Sequence, residues 1–403
     1  MRSGPLNLVL LTEMFPPHAG GSRYYYYNLM RRIAAMDCDV TVLTKKVPGW
    51  EDFDRREQTA TFHIRRQFKP ISETTYPIPL KIAILLAGGL CSSLSIASTS
   101  ALRRANVLHC GDLYPQGTQG LLLKKAFGLP FVAYAHGEEI TLHGSYRYQP
   151  KLRDLIYQSA DAVVANSDFS VEQLRQIGID RAKIHKITPG LDTAVFYPAP
   201  ADPELRDRYG LNDHLTLLTV GRLVPRKAQD QVIHALAELG GEAAGVKYLI
   251  VGVGPEEPKL RQLAADLQVS SQVIFAGYVP DAELNRYYNL ADVFVMPNRV
   301  VAGDLEGFGM VFLEANAAGK PVVAGRSGGA GEAVEHGKTG LLVDPEDRGQ
   351  LLCALRTLIK SPEVRRQMGA QGLQRVCAEF DWNSRAQRLQ EISGEVVRRR
   401  PSR

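Results

Sequence analysis

Cysteine is scarce and scattered. The five residues, Cys38, Cys91, Cys110, Cys353 and Cys377, are odd in number and widely spaced, with no C-x-x-C pair. That pattern excludes a zinc-ribbon framework and a disulfide scaffold, and it fits a reducing cytoplasm. The G-x-G-x-x-G fingerprint of a nicotinamide site is missing too. Gly252-Val253-Gly254 starts one, but Glu257 stands where the third glycine belongs. The N-terminus lacks a basic segment followed by an apolar core and a cleavage site, so no signal peptide is expected. Only one long uncharged run occurs, Ile82 to Leu102, and it carries Gly88-Gly89, several serines and a threonine. A buried or amphipathic helix is favoured over a membrane span.

What is present is ordinary for a globular protein. The chain has 403 residues, 45% hydrophobic and 23% charged, which points to two domains. The net charge of +5 is unevenly placed. Residues 1–200 hold 23 basic and 17 acidic side chains, the remainder 25 and 26. The basic excess of the first half, with Arg65-Arg66 and Arg103-Arg104, suits an anionic acceptor or membrane surface better than nucleic acid. A plain solvated surface is the bland alternative, and it is favoured.

Short apolar runs alternate with helical stretches along the whole chain. In the first half, strands are expected at Leu6–Leu11, Val40–Leu43, Val107–Cys110, Pro130–Ala135, Ala162–Ala165 and Ile184–Ile187. In the second they fall at Thr216–Val220, Tyr248–Val251, Val273–Ala276, Val293–Met296, Pro321–Ala324 and Leu341–Val343. This double run predicts an α/β chain of two Rossmann-like domains. A proline-rich stretch, Val195 to Pro203, reads as the linker, giving a first domain over 1–198, to which the final helix 381–403 is added, and a second over 199–380.

Ligands of such sheets gather at the carboxyl ends of the strands. The first strand leads through Pro16-Pro17 to Gly20-Gly21 and a helix beginning near Arg23. Those glycines can bring backbone amides close to a phosphate, or they make an ordinary helix-start turn. Tyr24 to Tyr27 point all round that helix, so one or two belong in the core and the rest can line a cleft. His136 ends a strand, at the ligand edge. Arg222 and Lys227 follow another strand, where phosphates bind, although surface charge alone would explain them. Glu306-Gly307-Phe308-Gly309-Met310-Val311-Phe312-Leu313-Glu314 places two carboxylates around a tight glycine turn and a helix start. Helix amides facing Glu306, with Glu314 two turns on, suit a row of hydroxyls. A charge favouring the helix dipole plus a solvated glutamate is the competing reading.

These segments, in this order, resemble the retaining glycosyltransferases of family 4. Glu306 to Glu314 is similar to their E-x7-E motif, Gly221-Arg222-Leu223 to Lys227 to G-R-L-x-x-x-K, and His136-Gly137-Glu138-Glu139 to His-Gly-x-Glu. Pro16-Pro17 to Gly20-Gly21 resembles the family's glycine loop. Two positions depart from the pattern: Ala228 replaces the glycine after the lysine, and Thr188-Pro189 replaces the Asn of N-G-[VI]-D. The resemblance implies a GT-B fold, two Rossmann-like domains facing across a cleft with the C-terminal helix, from Trp382, crossing back onto the first. It implies a nucleotide-diphospho sugar, UDP- or GDP-linked, as donor and a glycan or lipid-linked glycan as acceptor. It also implies roles. Arg222 and Lys227 clamp the diphosphate, and His136 contacts the transferred sugar. Glu306, with the amides of Phe308 and Gly309, grips sugar hydroxyls, and Gly307, Met310 and Val311 belong to the same donor-binding segment. Glu314 takes the ribose, Val279 flanks the base, and Gly20 and Gly21 approach the pyrophosphate.

No metal ligands and no cofactor are expected, since no Asp-x-Asp stands where another glycosyltransferase fold would need one. The enzyme would work in the cytoplasm, with peripheral contact at the inner membrane face as a further reading. A non-hydrolysing sugar-nucleotide epimerase shares the fold, but no convincing acid-base set can be nominated for it. A catalytically silent binding subunit is the third reading, disfavoured by the presence of Arg222, Lys227, Glu306 and Glu314 together.

Overall fold

The computed structural model describes residues 6–17, 21–68, 100–141 and 150–399. Two compact units form: residues 1–189 with 382–403, and residues 190–381. The stretch Val195 to Pro203, read as the linker, lies inside the second unit. Asn289 ties it there, its Oδ1 accepting from Ala199 N at 2.8 Å and its Nδ2 donating to Tyr197 O at 3.0 Å.

The first unit is built on seven parallel strands: β1 Asn7–Leu11, β2 Asp39–Lys45, β3 Phe62–Phe68, β4 Val107–Cys110, β5 Phe131–Ala135, β6 Ala162–Ala165 and β7 Ile184–Lys186, in the order β3-β2-β1-β4-β5-β6-β7. The second unit has six: β8 Leu215–Val220, β9 Val246–Val251, β10 Val273–Gly277, β11 Val293–Met296, β12 Val322–Gly325 and β13 Gly340–Val343, in the order β10-β9-β8-β11-β12-β13. Both are doubly wound, and each reverses direction once, between β1 and β4 and between β8 and β11. The central strands are apolar on both faces because both faces are covered. In the second sheet Leu218, Leu249, Phe294 and Val322 enter one core. Their neighbours Leu217, Tyr248, Val293 and Val323 enter the core on the opposite side.

Strand β3, FHIRRQF, was not anticipated, because charge breaks its apolar pattern. It separates the Arg65-Arg66 pair, for which a solvated surface is the favoured reading and an anionic membrane surface the alternative. Adjacent residues of a strand point to opposite faces. Arg65 is exposed, whereas Arg66 is buried against Asp54 at 2.7 Å and also donates to the Pro16 and Lys45 carbonyls. Arg103 and Arg104 are both exposed. Most of Ile82 to Leu102 lies outside the described residues, and no helix among those described is long and apolar enough to cross a membrane.

The last helix, Trp382–Arg398, belongs to the first unit. It buries Trp382, Ala386, Leu389, Ser393 and Val396, a stripe at spacings of four and three that packs on the helix Gly21–Ala34. Trp382 meets the Tyr25 ring edge-on at 5.9 Å. His109, buried in the middle of β4, bonds Ser393 Oγ at 3.1 Å through Nε2 and Tyr134 OH at 2.8 Å through Nδ1.

Candidate active site

In the second unit, the loop after β8 carries a short 3-10 turn, Pro225–Lys227, that lies against the chain after β11. Lys227 and Arg226 are both buried, and both reach the same oxygen of Glu306. The Lys227 Nζ to Glu306 Oε2 distance is 2.5 Å, and that from Arg226 Nη1 is 2.8 Å. Arg226 Nε also meets Asp304 at 3.0 Å, and Arg226 O accepts from Arg299 N at 2.9 Å. Arg299 in turn pairs with Asp230 at 2.9 Å. Burial opposes the charge of Glu306, but Lys227 and Arg226 outweigh it and hold the carboxyl below the usual carboxylate range. Burial pushes the Lys227 ammonium below its usual range, against the pull of Glu306. Arg222 stands apart, with its side chain exposed and its carbonyl accepting from Gln229 Nε2 at 3.3 Å.

The chain around Glu306 is held by close backbone approach. Gly329 N donates to Glu306 O at 3.0 Å, and a Cβ on Gly328 would fall 2.1 Å from that same oxygen. Gly328 also has φ +58°, so glycine is required there on both counts. At φ +89°, Gly309 turns the chain into the helix Met310–Ala317, and a Cβ on it would strike the Phe312 ring at 2.4 Å. Phe308 is buried, and Gly307, Met310 and Val311 are partly exposed. The helix therefore starts beside Glu306 without a side-chain cap.

Glu314, further along that helix, has a different environment. Tyr288 OH donates to its Oε2 at 2.6 Å. Burial pushes its carboxyl up to about 7, although the Tyr288 bond and the Lys227 charge oppose the rise. Val279 is buried, and Tyr278 before it is exposed.

In the first unit the carboxyl ends of β1, β4 and β5 bring together Thr12, Glu13, Gly111, Asp112 and His136. Asp112 Oδ2 accepts from Thr12 Oγ1 at 2.9 Å and Glu13 N at 2.8 Å, and burial raises its carboxyl. His136 Nε2 lies 2.6 Å from Tyr26 OH, which also bonds the Gly111 carbonyl. Burial lowers the imidazole's basicity, with Glu138 and Asp112 opposing. Its backbone N–H donates to Glu139 Oε2 at 3.0 Å, and burial pushes the Glu139 carboxyl up to about 7. Gly20 lies outside the described residues, and Gly21 opens the helix Gly21–Ala34. Tyr25, Tyr26 and Tyr27 are all buried and only Tyr24 is partly exposed, so the helix presents more tyrosine to the core than expected.

The structure thus joins Lys227 to Glu306, leaves Arg222 at the surface, and gives Glu314 and His136 tyrosine partners. Arg226, Asp304, Tyr288 and the His136 contact of Tyr26 were not foreseen. Arg226 sits at a variable position of the motif, and the others are distant in sequence. A basic residue beside Lys227 was the one visible signal. Among the described residues no three histidine, cysteine, aspartate or glutamate side chains gather as a metal-ligand set.

Comparison with known proteins matches both units. The family model for glycosyl transferases group 1 covers residues 202–375, and that for glycosyltransferase family 4 covers 19–195. The chain is 32% identical to a GDP-mannose-dependent alpha-(1-6)-phosphatidylinositol monomannoside mannosyltransferase of Mycolicibacterium smegmatis, over 96% of this chain and 97% of the relative. It is 30% identical to a D-inositol 3-phosphate glycosyltransferase of Thermobispora bispora, over 94% and 91%. Among solved structures, Anabaena Alr3699/HepE in complex with UDP and glucose superposes with TM-score 0.78 at 20% identity, over 96% of this chain and 98% of that one. Sucrose-phosphate synthase of Thermosynechococcus elongatus gives TM-score 0.78 at 24% identity, over 98% and 99%.

Proposed function

The chain belongs to glycosyltransferase family 4 and has the GT-B fold, and from that premise we propose that it moves a hexosyl unit, with retention and without a metal ion, from a nucleotide-diphospho sugar to an acceptor hydroxyl. The relatives named for GDP-mannose favour mannose and guanosine, and those named for inositol acceptors favour an inositol-containing, lipid-linked glycan at the inner membrane face. The observation that carries the reading is the buried Lys227–Glu306–Arg226 cluster beside the start of the helix Met310–Ala317. It joins a cation suited to a leaving diphosphate to a carboxylate suited to sugar hydroxyls, at a strand edge where phosphates bind.

The chemistry follows from charge. As the bond between sugar and diphosphate breaks, negative charge collects on the diphosphate, and preorganised cations there lower the barrier most. Lys227 has three N–H donors, so its bond to Glu306 does not exhaust it. Arg222, exposed on the same loop, supplies a planar second donor set. Glu306, held ionised, accepts from hydroxyls of the sugar, and the first amides of the helix face the same ring. Front-face attack lets the leaving phosphate take the acceptor's proton. Glu314 accepts from the ribose.

The test uses GDP-mannose and an inositol-lipid acceptor with a chelator present. An α-linked product, read from its anomeric NMR coupling, supports the proposal, and a β-linked product overturns it. Glu314→Gln should weaken GDP binding by about 1–2 kcal/mol, whereas Glu306→Gln should lower turnover strongly with only a modest loss of GDP affinity.

A further inference from the structure

The phenol of Tyr26 is fully buried between two groups that constrain its single proton. The Gly111 carbonyl oxygen can only accept, so the phenolic hydrogen goes to it. His136 Nε2, 2.6 Å from the same phenol oxygen, must then donate. The reverse arrangement would press the phenol and carbonyl oxygens together with no hydrogen between them, in a buried site where such an unmade bond is costly. Ionisation offers no escape, because burial, with Asp112 and Glu139 adding to it, raises the phenol's pKa well above the ordinary value. The ring itself is held edge-on by Tyr25 and Tyr26, each at 5.6 Å between centroids, and the His136 backbone N–H is fixed on Glu139.

We propose that Tyr26 is a positioning residue that locks neutral His136 in the tautomer with hydrogen on Nε2, so that His136 meets its ligand through the lone pair of Nδ1. The ring then accepts a hydrogen bond from a hydroxyl. It has no N–H to offer a phosphate or carbonyl oxygen from that side. This rests on the proposed transfer and on the role the family resemblance implies for His136, contact with the transferred sugar, and it specifies that the partner is a sugar hydroxyl acting as donor. No sequence motif carries Tyr26 into the site; the juxtaposition is between the first helix and the end of β5.

The experiment has two arms. Two-bond proton–nitrogen correlation on the whole chain, with histidine nitrogens labelled, reads the tautomer directly. His136→Gln assigns the signal among the nine histidines. The proposal expects a single Nε2–H form near neutral pH in the wild type and a tautomer mixture in Tyr26→Phe. An Nδ1–H form in the wild type overturns the lock, whether or not the variant folds, as does a Tyr26→Phe spectrum unchanged from wild type. The second arm measures GDP-mannose turnover. Tyr26→Phe should lower kcat on the order of tenfold with little change in KM. If the tautomer shifts and kcat does not, the lock stands and the contact between His136 and the sugar is refuted.

Discussion

Lys227 Nζ lies 2.5 Å from Glu306 Oε2, a direct bond between the residue suited to the diphosphate and the residue suited to the sugar. The two sites are therefore one electrostatic unit, and their substitutions should not add. Lys227→Ala and Glu306→Gln should each lower turnover by about 10²–10³-fold. The double variant should fall short of the product of the two, with a coupling of about 0.5–3 kcal/mol. A double-mutant cycle on kcat/KM measures this, and strict additivity would dissolve the unit.

Arg226 and Arg222 should separate in stability. Arg226 is buried on Glu306 and Asp304, while Arg222 is exposed. Arg226→Ala leaves Glu306 with Lys227 alone and should cost about 1–3 kcal/mol of folding stability. Arg222→Ala should stay within about 0.5 kcal/mol yet still slow transfer. Urea unfolding of both variants checks the contrast.

The Arg66–Asp54 pair should behave as a buried structural bridge. Arg66→Ala strands the Asp54 carboxylate and should cost about 3–5 kcal/mol, with a lowered Tm. Replacing both residues with apolar side chains should recover part of the loss, since no buried charge is then left unpaired and only the Pro16 and Lys45 carbonyls lose the Arg66 donor. A wild-type Tm in Arg66→Ala would contradict this.

His109 makes stability depend on pH. Burial lowers its folded pKa from 6.5 to about 3. Between those values the unfolded chain binds a proton that the folded chain refuses, so acid favours unfolding. Stability should be full above about pH 6.5 and should fall steadily toward pH 3. His109→Gln should flatten that portion of the profile in chemical denaturation followed across pH. An unaltered slope would place the acid sensitivity elsewhere.

Two kinds of information were legible in the chain itself. Apolar runs with short turns between them located twelve of the strands, because a strand covered on both faces must be apolar throughout, and that condition is local. The glycine turn at Gly307 and Gly309 marked backbone that bends into a helix, and Gly309 does so at φ +89°, again a property of one position. Strand β3 escaped because its stability is not local: Arg66 is tolerated inside only because Asp54, twelve residues earlier, neutralises it.

The site divides in the same way. The motif residues Arg222, Lys227, Glu306 and Glu314 stood out through their resemblance to family motifs, since type and spacing alone left solvated charge a sufficient account of them. Their states did not, since the burial and partners that set a proton's affinity come from elements far apart in the chain. Glu306 is held ionised by Arg226 and Lys227 from another loop, while Glu314, eight residues on, is pushed up to about 7 beside Tyr288. The order of residues nominated the side chains of this candidate site, whereas only the tertiary structure decided which of them carry charge, because charge depends on solvent exclusion and on neighbours that the order of residues does not display.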